Sequence, residues 1–143
     1  MRFFKLSLVL LIILSTNSHS ENMLPLKKYL KNNQDFKDLS RTRYLLKRCT
    51  ALHFFLSDNK FTAKDNNIRI RYEKDYNFFS MKLYKILNLE NSDFTKLNKK
   101  VDNEILKYSK TYLRDGKKNL QKTGSSFKRN YILEDLKICS KIQ

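Results

Sequence analysis

The sequence contains 143 residues, of which 41% are hydrophobic, enough for one domain with a modest core and too few for two domains. Its two cysteines exclude a disulfide-rich scaffold. The formal net charge of +16 indicates either an anionic partner or a lysine-rich composition on solvated faces, and the even spread of the lysines favours the second interpretation.

The N-terminus has the features of a secretory signal peptide at residues 1–20. Arg2 and Lys5 precede a short apolar run, and Ser18 and Ser20 are small residues at the positions that signal peptidase requires. The apolar run is shorter than the roughly 20 residues needed to cross a bilayer. We therefore expect cleavage near Ser20 and a secreted or periplasmic protein. An uncleaved membrane anchor is the alternative.

Residues 21–38 are predicted to form an N-terminal segment with one short helix, and residues 39–143 to form a helical bundle domain. Leu26, Tyr29 and Leu30 supply the apolar side of the short helix. We expect this helix to pack its few apolar groups on the domain.

The central helix is predicted at about residues 41–57, after an N-cap at Asp38 or Ser40. At about 100° per residue, four residues share one apolar stripe on this helix: Leu45, Cys49, Leu52 and Leu56. Such spacing is typical of a helix that faces a core.

Three further amphipathic helices are predicted at about residues 65–89, 92–115 and 126–142. Ser92 is the predicted N-cap of the second of these helices, and Gly116 its C-cap. Alternation with a period of two residues is absent, so no strand is expected. These elements predict an all-α fold, a small up-down-up-down four-helix bundle with a short extra N-terminal helix.

Cys49 and Cys139 lie on the apolar stripes of the central and last helices. Two cysteines in an exported chain predict one disulfide, which would close a loop of about 90 residues and stabilise the domain by roughly 4–5 kcal/mol. A Cys49–His53 nucleophile pair, or zinc bound by Cys49, His53 and Cys139, would need free thiols, which export disfavours. We therefore expect no metal, no cofactor and no enzymatic activity.

Four ionisable residues close to the apolar stripes are predicted to form two buried ion pairs. In an antiparallel hairpin that turns near residue 61, Arg48 faces Asp75. Antiparallel packing through the two cysteines places His53 opposite Asp135. The second contact would raise the pKa of His53 and make the protein slightly more stable in acid. A surface-exposed His53 without a partner is the alternative.

The basic residues predicted to contact an anionic partner are Arg41, Arg43, Lys47, Arg69 and Arg71. Export disfavours nucleic acid as this partner, because the polyanions outside the inner membrane are phospholipid, lipopolysaccharide and acidic glycans. The first functional hypothesis is a small exported α-helical protein with a non-catalytic, binding or structural role. The alternative is a basic helical protein that binds anionic membrane or envelope polymers.

Overall fold

The computed structural model describes residues 23–32, 38–58, 65–90 and 94–143, and within them it contains helices and no strand. The helices are α1 (Leu26–Asn32), α2 (Leu39–Asp58), α3 (Asn66–Glu90), α4 (Phe94–Thr123) and α5 (Tyr131–Ser140). The all-α prediction is confirmed for this part of the chain. The predicted signal peptide and the predicted N-cap Ser92 lie outside the described residues.

The first turn of α2 is capped by Asp38, one of the two predicted caps. Its Oδ1 atom accepts a hydrogen bond from the Ser40 amide at 2.8 Å, and its backbone oxygen accepts one from the Arg41 amide at 3.1 Å. Asp65 acts in the same way at the start of α3, where its Oδ1 atom accepts from the Asn67 amide at 2.7 Å. Both helices begin where a short acidic side chain satisfies amides that have no partner within the helix.

α2 is the central helix because its neighbours cover it on all sides. Consecutive residues from Arg48 to His53 are all buried, whereas a helix packed on one side exposes the opposite face. α3, α4 and α5 all contact it, and α1 reaches it through the stacked rings of Tyr29 and Tyr44. The predicted single stripe is therefore too narrow, and the half-buried Leu45 belongs to its edge.

The predicted helix end at Gly116 is wrong. α4 continues through Gly116 and ends before Gly124, which has a φ of 72° and whose amide donates to the Leu120 carbonyl at 2.9 Å. A Cβ atom at Gly116 would stand 3.1 Å from Cζ of Phe55 on α2. The glycine at 124 therefore supplies the left-handed C-cap, and the glycine at 116 lets two helices approach closely.

α5 begins later than the sequence predicts. The hydroxyl oxygen of Ser125 accepts hydrogen bonds from the amides of Phe127 at 3.3 Å and Lys128 at 3.1 Å, which forms a turn instead of a helix. Asn130 is the N-cap, and its side chain accepts from the Ile132 amide. α4 therefore includes residues 116–123, which lie between the predicted helices. The turn includes residues 126–130, which the sequence analysis places in the last helix.

The disulfide between Cys49 and Cys139 is confirmed. It joins α2 to α5 across 90 residues of sequence, and both cysteines are fully buried. Leu26, at the start of α1, is also fully buried and belongs to the same hydrophobic core. The described part of the N-terminal segment, including α1, is therefore packed against the rest of the domain.

Candidate functional site

A charged cluster is buried where α2, α4 and α5 meet, and we call Arg48, Tyr112 and Asp135 the Arg48 cluster. All three residues are 0% exposed. Arg48 Nη2 donates to Asp135 Oδ2 at 2.6 Å, and the Tyr112 hydroxyl donates to the same oxygen at 2.8 Å. The Tyr112 oxygen in turn accepts from Arg48 Nε at 3.1 Å. The opposite charges of Arg48 and Asp135 thus balance each other inside the core.

The segment that precedes α1 completes the Arg48 cluster. Arg48 Nη1 donates to the Leu24 carbonyl at 2.8 Å and to the Tyr44 hydroxyl at 2.7 Å. The Leu26 amide donates to Asp135 Oδ1 at 2.7 Å. All five N–H groups of the guanidinium therefore have acceptors. The cluster has no open position for a substrate, and it holds four segments of the chain together.

Opposing effects act on the ionisation of the Arg48 cluster. Burial lowers the pKa of Arg48, but Tyr112 and Asp135 outweigh burial and hold this pKa above its ordinary value. Burial raises the pKa of Asp135 above its ordinary value and outweighs Arg48 and the hydrogen bonds from Tyr112 and the Leu26 amide, which act in the opposite direction. The guanidinium therefore stays charged inside the core.

The four residues predicted to form two ion pairs exchange partners in the structure. Arg48 binds Asp135 and not Asp75, and His53 Nδ1 lies 3.6 Å from Asp75 Oδ2 and not beside Asp135. Arg48 and His53 are five residues apart, so they lie about 140° apart around α2 and face different helices. Because α2 is covered on all sides, its sequence has no polar face that shows which neighbour each residue meets.

His53 lines a pocket of about 370 Å³ between α2, α3 and α5, which we call the His53 pocket. The residue is 1% exposed, and its ring stacks on Phe79 with centroids 5.2 Å apart. Neither ring nitrogen forms a hydrogen bond within the described part of the chain. Other lining residues are Ile68, Arg71, Tyr72, Asp75, Leu136, Lys137, Ser140 and Gln143.

Burial lowers the pKa of His53 from 6.5 to about 4, although Asp75 acts to raise it, and Arg71 lowers it further. The predicted rise is wrong because the enclosed site penalises the charged imidazole more than the nearby carboxylate favours it. At neutral pH the ring is uncharged and offers one donor and one acceptor nitrogen.

We expect the free energy of unfolding to fall as the pH is lowered from about 6.5 to about 4. The unfolded chain takes up a proton at its ordinary pKa of 6.5 and the folded chain at about 4, so the stability present above pH 6.5 is lost within this window. The difference corresponds to about 3 kcal/mol. Urea unfolding of the wild type and of His53→Gln, each near pH 7 and near pH 4, measures it. An unchanged pH dependence in His53→Gln would show that another group is responsible.

The predicted basic residues on α2 do not form an open surface. Arg41 is buried, with 5% of its surface exposed, and donates to the Leu30 carbonyl at 3.2 Å. Lys47 forms an ion pair with Glu104 of α4, and Arg43 is half-buried. Packing against α1 and α4 therefore occupies this part of the predicted surface.

The two predicted basic residues on α3 have different surroundings. Arg69 forms an ion pair with Glu73, one turn further along the helix. Arg71 is exposed and lines the His53 pocket. Arg71 is thus the member of the predicted set that reaches a candidate binding site.

α4 carries a lysine-rich face that the sequence analysis did not identify. Seven lysines are exposed among the α4 side chains that the structure describes: Lys99, Lys100, Lys107, Lys110, Lys117, Lys118 and Lys122. At about 100° per residue they fall within about 140° of the helix circumference, along about 35 Å. We call them the α4 lysine face. The prediction missed it because ending the helix at Gly116 divided these lysines between a helix and a loop.

The acidic residues of α4 contact side chains of other helices. Asp102 accepts from the hydroxyl of Tyr84 on α3, and Glu104 pairs with Lys47 on α2. On the α5 side, Asp115 Oδ2 accepts from the Tyr131 hydroxyl at 2.8 Å. The direction of these carboxylates leaves a strongly positive outer face on α4.

Within the described ranges, no group of three or more His, Cys, Asp or Glu residues is placed to hold a metal ion. None of the described helices combines the length and the apolar character needed to cross a membrane. Searches against protein-family models, curated proteins and solved structures found no match for this chain.

Proposed function

We propose that the protein is a small exported α-helical protein with a non-catalytic binding role in the periplasm or outside the cell. The observation that carries this proposal is the disulfide between Cys49 and Cys139, which is closed inside the core. Structural disulfides persist in oxidising compartments and are rare in the cytosol. The signal peptide predicted at residues 1–20 supports the same destination.

The up-down-up-down bundle is part of this proposal. Two contacts occur in the same order along α2 and α4. Tyr44 contacts Tyr108, and Phe55, which is later in α2, contacts Tyr112, which is later in α4. Two contacts occur in opposite order along α4 and α5. Tyr112 contacts Asp135, and Asp115, which is later in α4, contacts Tyr131, which is earlier in α5. Parallel α2 and α4 with antiparallel α5 are what this topology requires.

Export is tested by expressing the full chain in a bacterium with a periplasm and measuring the intact mass of the protein in each compartment. We expect a periplasmic chain that begins at Glu21 and is two hydrogens lighter than its reduced form. A matched chain without residues 1–20 should remain in the cytoplasm with both thiols reduced. Retention of the full chain in the cytoplasm would contradict the proposal.

The α4 lysine face favours a second candidate function, binding to anionic membranes or envelope polymers. Each lysine close to an anionic lipid surface contributes roughly 1 kcal/mol of attraction. The face lies along one helix, so several lysines can approach a flat or extended polyanion together. This candidate requires no insertion of the helix into the bilayer.

Neutralising three lysines of this face should lower binding to anionic vesicles by roughly 100-fold, because each lost charge removes about 1 kcal/mol. The variant is Lys110→Gln, Lys117→Gln and Lys118→Gln, and the assay is co-sedimentation. Binding of the wild type should also collapse at about 1 M salt, where the Debye length is about 3 Å.

The matched control neutralises three exposed lysines of α1: Lys27, Lys28 and Lys31. It changes the net charge by the same amount and should keep most of the vesicle binding. Equal losses in the two triple variants would mean that binding follows net charge and that the α4 lysine face is not the binding surface.

A further inference from the structure

The imidazole of His53 is buried without the hydrogen bonds that a buried polar group needs. Both ring nitrogens lack a partner within the described residues, and the 3.6 Å from Nδ1 to Asp75 Oδ2 is longer than a hydrogen bond. Native proteins usually satisfy such groups with water or a ligand. Both nitrogens have almost no surface accessible to solvent, so a molecule in the His53 pocket could bond directly to the carboxylate of Asp75 and to the ring after a small shift of the pocket wall.

The His53 pocket contains charges of both signs. Arg71 and Asp75 lie one turn apart on α3, both line the pocket, and both act on the ionisation of His53. Within the described residues Arg71 forms no ion pair. Lys137, by contrast, is paired with Glu134 at 3.0 Å. The pocket thus offers a guanidinium and a carboxylate that are not paired with each other.

Part of the lining of the His53 pocket is apolar. It is formed by Ile68 and Tyr72 of α3 and Leu136 of α5, and Ile68 is 45% exposed to solvent. Ser140 and Gln143 add uncharged polar side chains to the lining. The volume of about 370 Å³ lies near the lower end of the range for ligand pockets, about 300–1,000 Å³. The site therefore fits a small molecule with an apolar part and two opposite charges.

We infer that the His53 pocket binds a free α-amino acid with an apolar side chain. The ligand carboxylate pairs with Arg71, and the ammonium group donates to Asp75 and, after a small shift of the pocket wall, to the unprotonated nitrogen of His53. The side chain packs against Ile68 and Leu136. This inference deepens the proposed binding role and rests on it, because an exported protein meets such solutes in free form.

Calorimetric titration of the exported, oxidised protein with three related probes tests the assignment. Leucine carries both charges, 4-methylpentanoate lacks the ammonium group, and 3-methylbutan-1-amine lacks the carboxylate. We expect leucine to bind, and each analogue to bind at least about tenfold more weakly, since each leaves one pocket charge without a partner. Equal affinity for leucine and either analogue, or no binding of leucine, valine and methionine, would overturn the inference.

Two substitutions at the pocket rim test the roles of its charges with little risk to folding. Arg71→Gln and Asp75→Asn should each weaken leucine binding by at least about tenfold. Arg69→Gln is the matched control, because Arg69 lies on the same helix in an exposed pair with Glu73, and it should change the affinity less than about twofold. Equal effects of the two arginine substitutions would overturn the inference.

The outcomes separate this inference from the proposed function. Processed, oxidised protein that fails to bind any of the amino acids contradicts the pocket assignment and leaves export intact. Retention of the full chain in the cytoplasm in the intact-mass assay contradicts the proposed function, whatever the titration shows.

Discussion

Replacing Asp135 with alanine is expected to lower the free energy of unfolding by about 3–5 kcal/mol. The substitution leaves the guanidinium of Arg48 charged at 0% exposure. It also removes the acceptor of hydrogen bonds from Arg48, Tyr112 and the Leu26 amide. Urea unfolding of the wild type and the variant measures the difference.

Glu134→Ala is the matched control for this prediction. Glu134 precedes Asp135 on α5 and forms an exposed ion pair with Lys137 at 3.0 Å, a kind of pair that contributes about 0.5 kcal/mol or less. The double substitution of Arg48→Met with Asp135→Leu should be more stable than Asp135→Ala, because no charge remains buried, and less stable than the wild type, because the Tyr112 hydroxyl and the Leu26 amide lose their acceptor. Similar losses in Asp135→Ala and Glu134→Ala would show that the Arg48 cluster does not hold the helices together.

Removing the disulfide with Cys49→Ala and Cys139→Ala is expected to lower the free energy of unfolding by about 4–5 kcal/mol. The bridge closes a loop with a sequence separation of 90 residues, so it restricts the unfolded chain strongly. The measurement is urea unfolding of the oxidised wild type and of the double variant at the same pH.

The response to a reductant separates the bridge from the packing of its sulfur atoms. Dithiothreitol should move the unfolding midpoint of the wild type toward that of the double variant and leave the double variant unchanged. A wild-type midpoint that does not move after confirmed reduction would contradict the stabilising role of the bridge.

The number, approximate positions and type of the helices could be predicted from sequence because their apolar residues recur at helical spacing. The disulfide could be predicted because it needs two cysteines on buried stripes and an oxidising compartment. The end of α4 could not be predicted, because a glycine such as Gly116 is a common signal for the end of a helix. Its role here depends on the close approach of Phe55, which is a tertiary contact.

The four ionisable residues of the buried sites could be identified, but their partners, including Tyr112 in the Arg48 cluster, could not. Arg48, His53, Asp75 and Asp135 were selected from their positions near apolar stripes, and the structure brings them together in the opposite pairing. A helix surrounded on all sides gives no directional signal in its own sequence. The same limitation hid the link between Arg71 and His53, which lie on different helices and meet at one pocket.

The Leu26 amide and the Asp135 carboxylate are hydrogen-bonded across 109 residues of sequence. A polypeptide that leaves a translocation channel N-terminus first cannot form this contact until its last helix has emerged. Up to that moment the N-terminal segment can contact α2, through Arg48 and Tyr44, but not α5. On the proposed export route, the native domain is therefore completed only after α5 has left the channel, and the disulfide can form only then.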